Sequence, residues 1–171
     1  ALKAALNPAK KRAPKFFLLP CSSSATCSFF KNNAQKQYFV FTDDTNLSTE
    51  KNVTLIEKKC EGFPLDSLMR FKMFLSVSEE LKKYDYIYFF NSNMLFVEPV
   101  GQEILPDKEG EIVFVLNGGY YNKTPLRYPY ERNKRSKAFI PFKFKRKYRY
   151  VSGAIIGGRA KDYLLFCEAC H

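Results

Sequence analysis

The chain has 171 residues, 46% apolar and 16% aromatic, enough for one domain that buries roughly two thirds of its unfolded surface, which excludes a tail or linker. Its net charge of +11 is lopsided, because eleven Lys and Arg residues between Lys123 and Arg149 face only Glu131, a composition that attracts polyanions or an anionic surface. No apolar run approaches the ~18 residues a membrane-spanning helix needs, so a soluble or at most peripheral protein is expected.

In chain order, residues 1–16 read as a flexible basic lead and 17–171 as one domain. Strands are predicted at Gln37–Thr42, closed by the turn signal Asp43-Asp44, and at Asn52–Glu57. Leu68, Phe71 and Leu75, then Phe74, Val77 and Leu81, recur at helical spacing and predict a helix over Leu65–Tyr84 with Asp66 or Ser67 as N-cap. Strands follow at Tyr84–Phe90, Glu111–Leu116 and Val151–Gly158, the last opening into a helix that runs to the end of the chain. Strands alternating with helices argue for an α/β layer architecture.

The five cysteines lack the spacing of a disulfide scaffold, and a reducing cytoplasm is the expected compartment. The closing "CEACH" has the spacing of covalent haem attachment. However, Tyr163, Phe166, Cys167 and Cys170 fall at i, i+3, i+4 and i+7, which places the thiols on an apolar helix face as small hydrophobes, and the one histidine, His171, leaves a zinc site short of ligands. "GGYY" (Gly118–Tyr121) and "SGAIIGG" (Ser152–Gly158) lack phosphate-loop spacing and mean tight turns or close backbone approach.

The stretch "YIYFFNSN" carries the most chemistry. In an open α/β sheet, ligands bind beyond the carboxyl ends of strands, and Asn91 and Asn93, two positions apart, aim the same way at that crevice. Aspartates there would form the D-x-D arrangement that holds a divalent metal on a nucleotide-sugar diphosphate. Amides are poor ligands for Mg²⁺ or Mn²⁺ yet good hydrogen-bond partners for phosphate and sugar hydroxyls. The plain alternative is a strand followed by a polar turn.

Four stretches, "YFVFTD", "GFPLDSLMRFKMFL", "YDYIYFFNSNMLFVEPVGQEIL" and "YPYERNKRSKAFIP" leading into "YVSGAIIGG", make the chain from Tyr38 to His171 resemble glycosyltransferase family 6. This family contains the ABO blood-group transferases, the α-1,3-galactosyltransferases and bacterial relatives. The resemblance implies a GT-A fold, a Rossmann-like mixed α/β sheet with flanking helices. It also implies a retaining transfer of galactose or N-acetylgalactosamine from a UDP-sugar, in α-1,3 linkage, onto a galactoside glycan. Animal members carry D-x-D and need Mn²⁺; bacterial members carry N-x-N and work without metal, and this sequence is of the second kind. No cofactor and no metal is therefore expected.

Carried over by position, Arg70, Asn91 and Asn93 would meet the donor's diphosphate and sugar. Ser152, Gly153 and Ala154 match the segment that selects between the two sugars, and alanine at the third place favours galactose. Asn117 stands where the blood-group enzymes place an acceptor-binding histidine. The Lys143–Arg149 segment departs from relatives that are mixed or acidic there, and attraction to an anionic membrane surface is expected of it. The family's catalytic glutamate is expected beyond His171. "FFLLPCSSSATCSFF" matches only the family's first helix, so the strand that sandwiches the uracil is expected to be missing, and the domain reads as partial at both ends. The expected setting is cytoplasmic, peripheral to the inner membrane. Two rival readings remain: a catalytically inactive nucleotide-sugar or glycan-binding module, and a nucleic-acid-binding protein resting on the basic segment, although nucleic acid is not an expected partner under the family reading.

Overall fold

The computed structural model describes residues 15–19, 35–44, 46, 51–59, 61–91 and 98–171. Six strands form one sheet: β1 (Lys15–Leu19), β2 (Gln35–Thr42), β3 (Val53–Glu57), β4 (Tyr86–Phe90), β5 (Ile112–Leu116) and β6 (Val151–Arg159), in the order β3-β2-β1-β4-β6-β5. The pairs β1–β2, β1–β4 and β2–β3 are parallel, and β4–β6 is antiparallel. This is the mixed α/β sheet expected of the fold class. The carboxyl ends of β1 to β4 therefore share one edge, and the antiparallel partner brings Ala154 and Ile155 of β6 to that same edge.

The run read as matching only a helix contains a strand instead. Lys15–Leu19 pairs with β2 on one side and β4 on the other, near the middle of the sheet. The last two residues of the expected flexible lead thus belong to the sheet; the rest of that lead, and residues 20–34, lie outside the described residues.

The helical stretch is broken into α1 (Leu65–Leu68), α2 (Arg70–Leu75) and α3 (Ser78–Leu81). The second break has a local cause: the Ser76 hydroxyl donates to the Met73 carbonyl at 2.7 Å, and β-branched Val77 follows in a non-helical conformation at φ −118°. Neither predicted N-cap residue caps a helix. The Asp66 carboxylate reaches back to accept from the Glu61 and Gly62 amides at 3.1 and 2.8 Å, fixing the turn in which Gly62 takes φ +78°, a conformation that only glycine adopts without strain.

Strand alternation divides the aromatic residues between two layers. On one face Phe74, fully buried, packs against Phe41, Phe89 and Tyr163 with ring centroids 5.5 to 6.2 Å apart, so that α2 and α4 (Ala160–Cys170) cover the sheet. Helix α4 is anchored where β4 begins, by the Ala160 amide donating to the Asp85 carbonyl at 3.0 Å. On the other face Tyr38, Tyr88 and Phe90 form a core with Val100, Ile104 and Leu105, and the Tyr88 hydroxyl donates to the Ile104 carbonyl at 2.6 Å. Tyr88 has room there only because Gly157 lies opposite: a Cβ at that position would sit 2.0 Å from the Tyr88 ring.

Two compact units are distinguished, Ala1–Val113 with Ala154–His171, and Phe114–Gly153. Apart from strand ends, regular structure in the second is confined to a short 3-10 turn at Pro125–Arg127, and hydrogen bonds to main-chain carbonyls hold its loops in place. The Tyr130 hydroxyl donates to the Arg149 carbonyl at 2.6 Å, and Arg132 donates to the carbonyls of Ile140 and Pro125 at 3.2 and 3.3 Å.

Candidate functional site

At the carboxyl end of β4, Phe90 is opposite Ile155, and the next amide, that of Asn91, donates to the Ala154 carbonyl at 2.9 Å. Two of the residues picked out by sequence, 63 positions apart in the chain, are therefore joined at one sheet edge. Asn91 is half-buried and continues the alternate set that contains Ile87 and Phe89, the side of the sheet covered by α2 and α4.

Arg70 is on that same side. As the first residue of α2 it donates from Nε to the Ser67 carbonyl at 3.0 Å, and its guanidinium lies 4.6 Å from the centroid of the Phe89 ring, two residues before Asn91. Stacking on an aromatic face fixes a planar cation without consuming all five of its donors. Burial pulls the Arg70 guanidinium below its ordinary pKa, and the neighbouring Tyr163 acts in the opposite direction. Tyr163 itself is fully buried and held strongly protonated, first by its burial. A partly desolvated guanidinium binds anions more strongly than a fully hydrated one, since less water has to be stripped from it. Nothing in the sequence signals the Phe89 platform beneath Arg70, because Phe89 reads simply as a core aromatic.

Asn93 lies outside the described residues. Ser152 and Gly153, in the first half of β6, belong to the second unit, as does Asn117. The Asn117 carboxamide oxygen accepts from the Gly119 amide at 3.0 Å while its main-chain N–H donates to the Tyr150 carbonyl at 3.0 Å, an Asx turn that shapes the "LNGGYY" loop. The glycine readings hold: one cluster builds this turn, the other lets Tyr88 approach the backbone at Gly157.

The "CEACH" terminus resolves as a helix end. Cys167 is fully buried, and burial pushes its thiol up to about 12; Cys170, expected on the same apolar face, is exposed. Among the described residues no three His, Cys, Asp or Glu side chains come together as a metal site, and no helix is long and apolar enough to cross a membrane.

The profile of glycosyltransferase family 6 matches residues 15–171. The chain belongs to glycosyltransferase family 6. It is 31% identical over 138 residues to the O-antigen biosynthesis glycosyltransferase WbnI of Escherichia coli, a match covering 80% of this chain and 57% of that protein. It is 28% identical over 156 residues to the globoside alpha-1,3-N-acetylgalactosaminyltransferase 1 of Gallus gallus, covering 83% of this chain and 42% of that one. A third relative, the N-acetyllactosaminide alpha-1,3-galactosyltransferase-like 1 of Rattus norvegicus, is 30% identical over 100 residues, 58% of this chain and 28% of its own. The chain thus spans about half the length of the first two. The matched residues begin at the strand Lys15–Leu19.

Proposed function

We propose that this chain holds a UDP-sugar at the carboxyl edge of β4 and serves a retaining, metal-independent transfer of galactose, or N-acetylgalactosamine, in α-1,3 linkage to a galactoside. One observation carries the reading. Arg70 stacks on Phe89, two residues before Asn91, and the Asn91 amide bonds to Ala154 at the end of the same strand; the family resemblance implies that these positions face the donor. In this proposal the Arg70 charge and the amides of Asn91 and Asn93 take the diphosphate oxygens. They stabilise the negative charge that develops on UDP as the glycosidic bond breaks. Neutral amides at the D-x-D places support metal independence, because a divalent cation draws its affinity from carboxylate oxygens. Ser152, Gly153 and Ala154 would contact the sugar, the Ala154 methyl favouring galactose, and Asn117 would contact the acceptor. We also propose an anionic membrane surface as a partner of the Lys123–Arg149 segment.

Titration calorimetry with UDP, UDP-galactose and UDP-N-acetylgalactosamine tests the donor reading. The expected result is micromolar to millimolar binding that EDTA leaves unchanged and that Arg70→Ala weakens at least tenfold. Binding that appears only with Mn²⁺, or that Arg70→Ala does not alter, overturns it.

A further inference from the structure

The charge of the molecule is not spread over it. Residues 114–153 hold eleven basic residues and one acidic residue, Glu131, whereas the rest of the chain holds seventeen basic against sixteen acidic. Within that unit lies "PFKFKRKYRY", Pro141–Tyr150, where Lys143, Lys145, Arg146, Lys147 and Arg149 are all exposed. Phe144 stands among them with 94% of its surface in water.

This exposure is built rather than incidental. The Arg146 amide donates to the Lys143 carbonyl at 3.0 Å, closing a β-turn that has Phe144 and Lys145 as its central pair. The base of the turn is fastened by one phenol: the Tyr148 hydroxyl accepts from the Lys143 amide and donates to the Pro141 carbonyl, both at 2.6 Å. Phe142 lies parallel and offset to the Tyr148 ring, with centroids 5.7 Å apart and planes 8° from parallel, and the Arg146 guanidinium lies 5.5 Å from the centroid of that ring. Two aromatic residues are thus spent on holding the turn, and the third is displayed at its tip. A polyanion alone would be met by the cations without that apolar side chain.

We infer that the turn Lys143–Arg146 is a membrane-docking tip, with Phe144 entering the interface of an anionic lipid bilayer while the flanking cations meet lipid headgroups. Charge and shape agree on this. Clustered Lys and Arg draw a protein to an anionic leaflet, and one aromatic ring inserted at headgroup depth adds an apolar increment that electrostatics cannot supply. The inference rests on the membrane part of the function proposed above and is independent of its donor part.

The chain has no tryptophan, so Phe144→Trp places a single fluorescent reporter at the tip. With vesicles of phosphatidylglycerol and phosphatidylcholine, this variant is expected to co-sediment. Its emission should shift to the blue and be quenched by brominated acyl chains, and neither should occur with phosphatidylcholine alone. Phe144→Ala is expected to lower partitioning onto the anionic vesicles about tenfold, the order of effect of losing a buried aromatic side chain. Its far-UV circular dichroism should match the parent, because the side chain touches little else. Vesicle binding with unshifted tryptophan emission overturns the insertion while leaving electrostatic attraction in place. No vesicle binding, with salt-sensitive binding of single-stranded RNA that Phe144→Ala weakens, overturns both and identifies a nucleic-acid surface instead.

Discussion

At the scale of single residues, two positions hold the site edge in shape for opposite reasons. Gly157 is there for what it lacks. A methyl group would lie 2.0 Å from Tyr88, whose ring is wedged between β6 and the Ile104 segment, so neither partner can give way cheaply. Gly157→Ala is expected to cost about 2–3 kcal/mol of stability or more, the range for overpacking a rigid site. In urea unfolding the pair Gly157→Ala with Tyr88→Ala should be less destabilised than the sum of the singles, since removing the ring removes the clash; strict additivity would show that the two are not coupled. Arg70 is there for what it carries. Lysine keeps a charge but not the planar stack on Phe89 or the donor geometry toward Ser67, so Arg70→Lys should restore only a minor part of the UDP affinity lost in Arg70→Ala. Equal affinity of the Lys variant and the parent would show that a point charge suffices there.

At the scale of elements, helix α4 offers a reactivity contrast. Cys167 and Cys170 are one turn apart, yet the first is sealed against the sheet and the second faces water. The thiolate is the reactive form, and burial raises both thiols, Cys167 up to about 12, so at pH 8 a thiol reagent should label the exposed Cys170 well before Cys167, which reacts only on unfolding. Mass mapping of the labelled peptide checks this, and equal labelling of both would refute the packing of α4. The same element shows how much the sequence could reveal. Tyr163 and Cys167 could be assigned to its buried face by spacing alone, as could β2, β3 and β6 to within two residues of their observed starts. Lys15–Leu19 could not. A short apolar run carries no alternation by which to tell a central parallel strand from a piece of helix, and its pairing partners are β2 and β4, the latter some seventy residues on. The continuous helix predicted over Leu65–Tyr84 failed because periodicity registers which side chains face the core, not whether Ser76 will bond back to Met73 and open the ladder. The candidate residues Arg70, Asn91 and Ala154 could be picked out because they lie in stretches that resemble the family. The contact between Asn91 and Ala154 could not, because it depends on the antiparallel register of β4 with β6.

For the whole molecule, the aromatic core fixes how stability responds to alkali. Tyr88 and Tyr163 are fully buried and their phenols are raised above the ordinary value, chiefly by that burial; Cys167 is raised for the same reason. Unfolding returns these groups to water, where a thiol ionises near ~8.5 and a phenol near ~10. Above those values the unfolded chain has released protons that the native chain still holds, so the unfolded state binds fewer protons and stability falls as pH rises. The contribution of each group is complete below its unfolded pKa and is lost on the way up to its folded one. Calorimetric melting should therefore be flat from about pH 7 to 8, begin to decline near 9 as unfolded Cys167 ionises, and fall steeply beyond 10 when the two tyrosines join it. Cys167→Ala should delay the onset, and Tyr88→Phe should flatten the steep limb. The second variant should also melt lower at neutral pH, by the order of 1 kcal/mol for the lost bond to Ile104. An alkaline limb unchanged by both substitutions would leave Tyr163, or the other raised phenols Tyr84 and Tyr130, as the titrating groups.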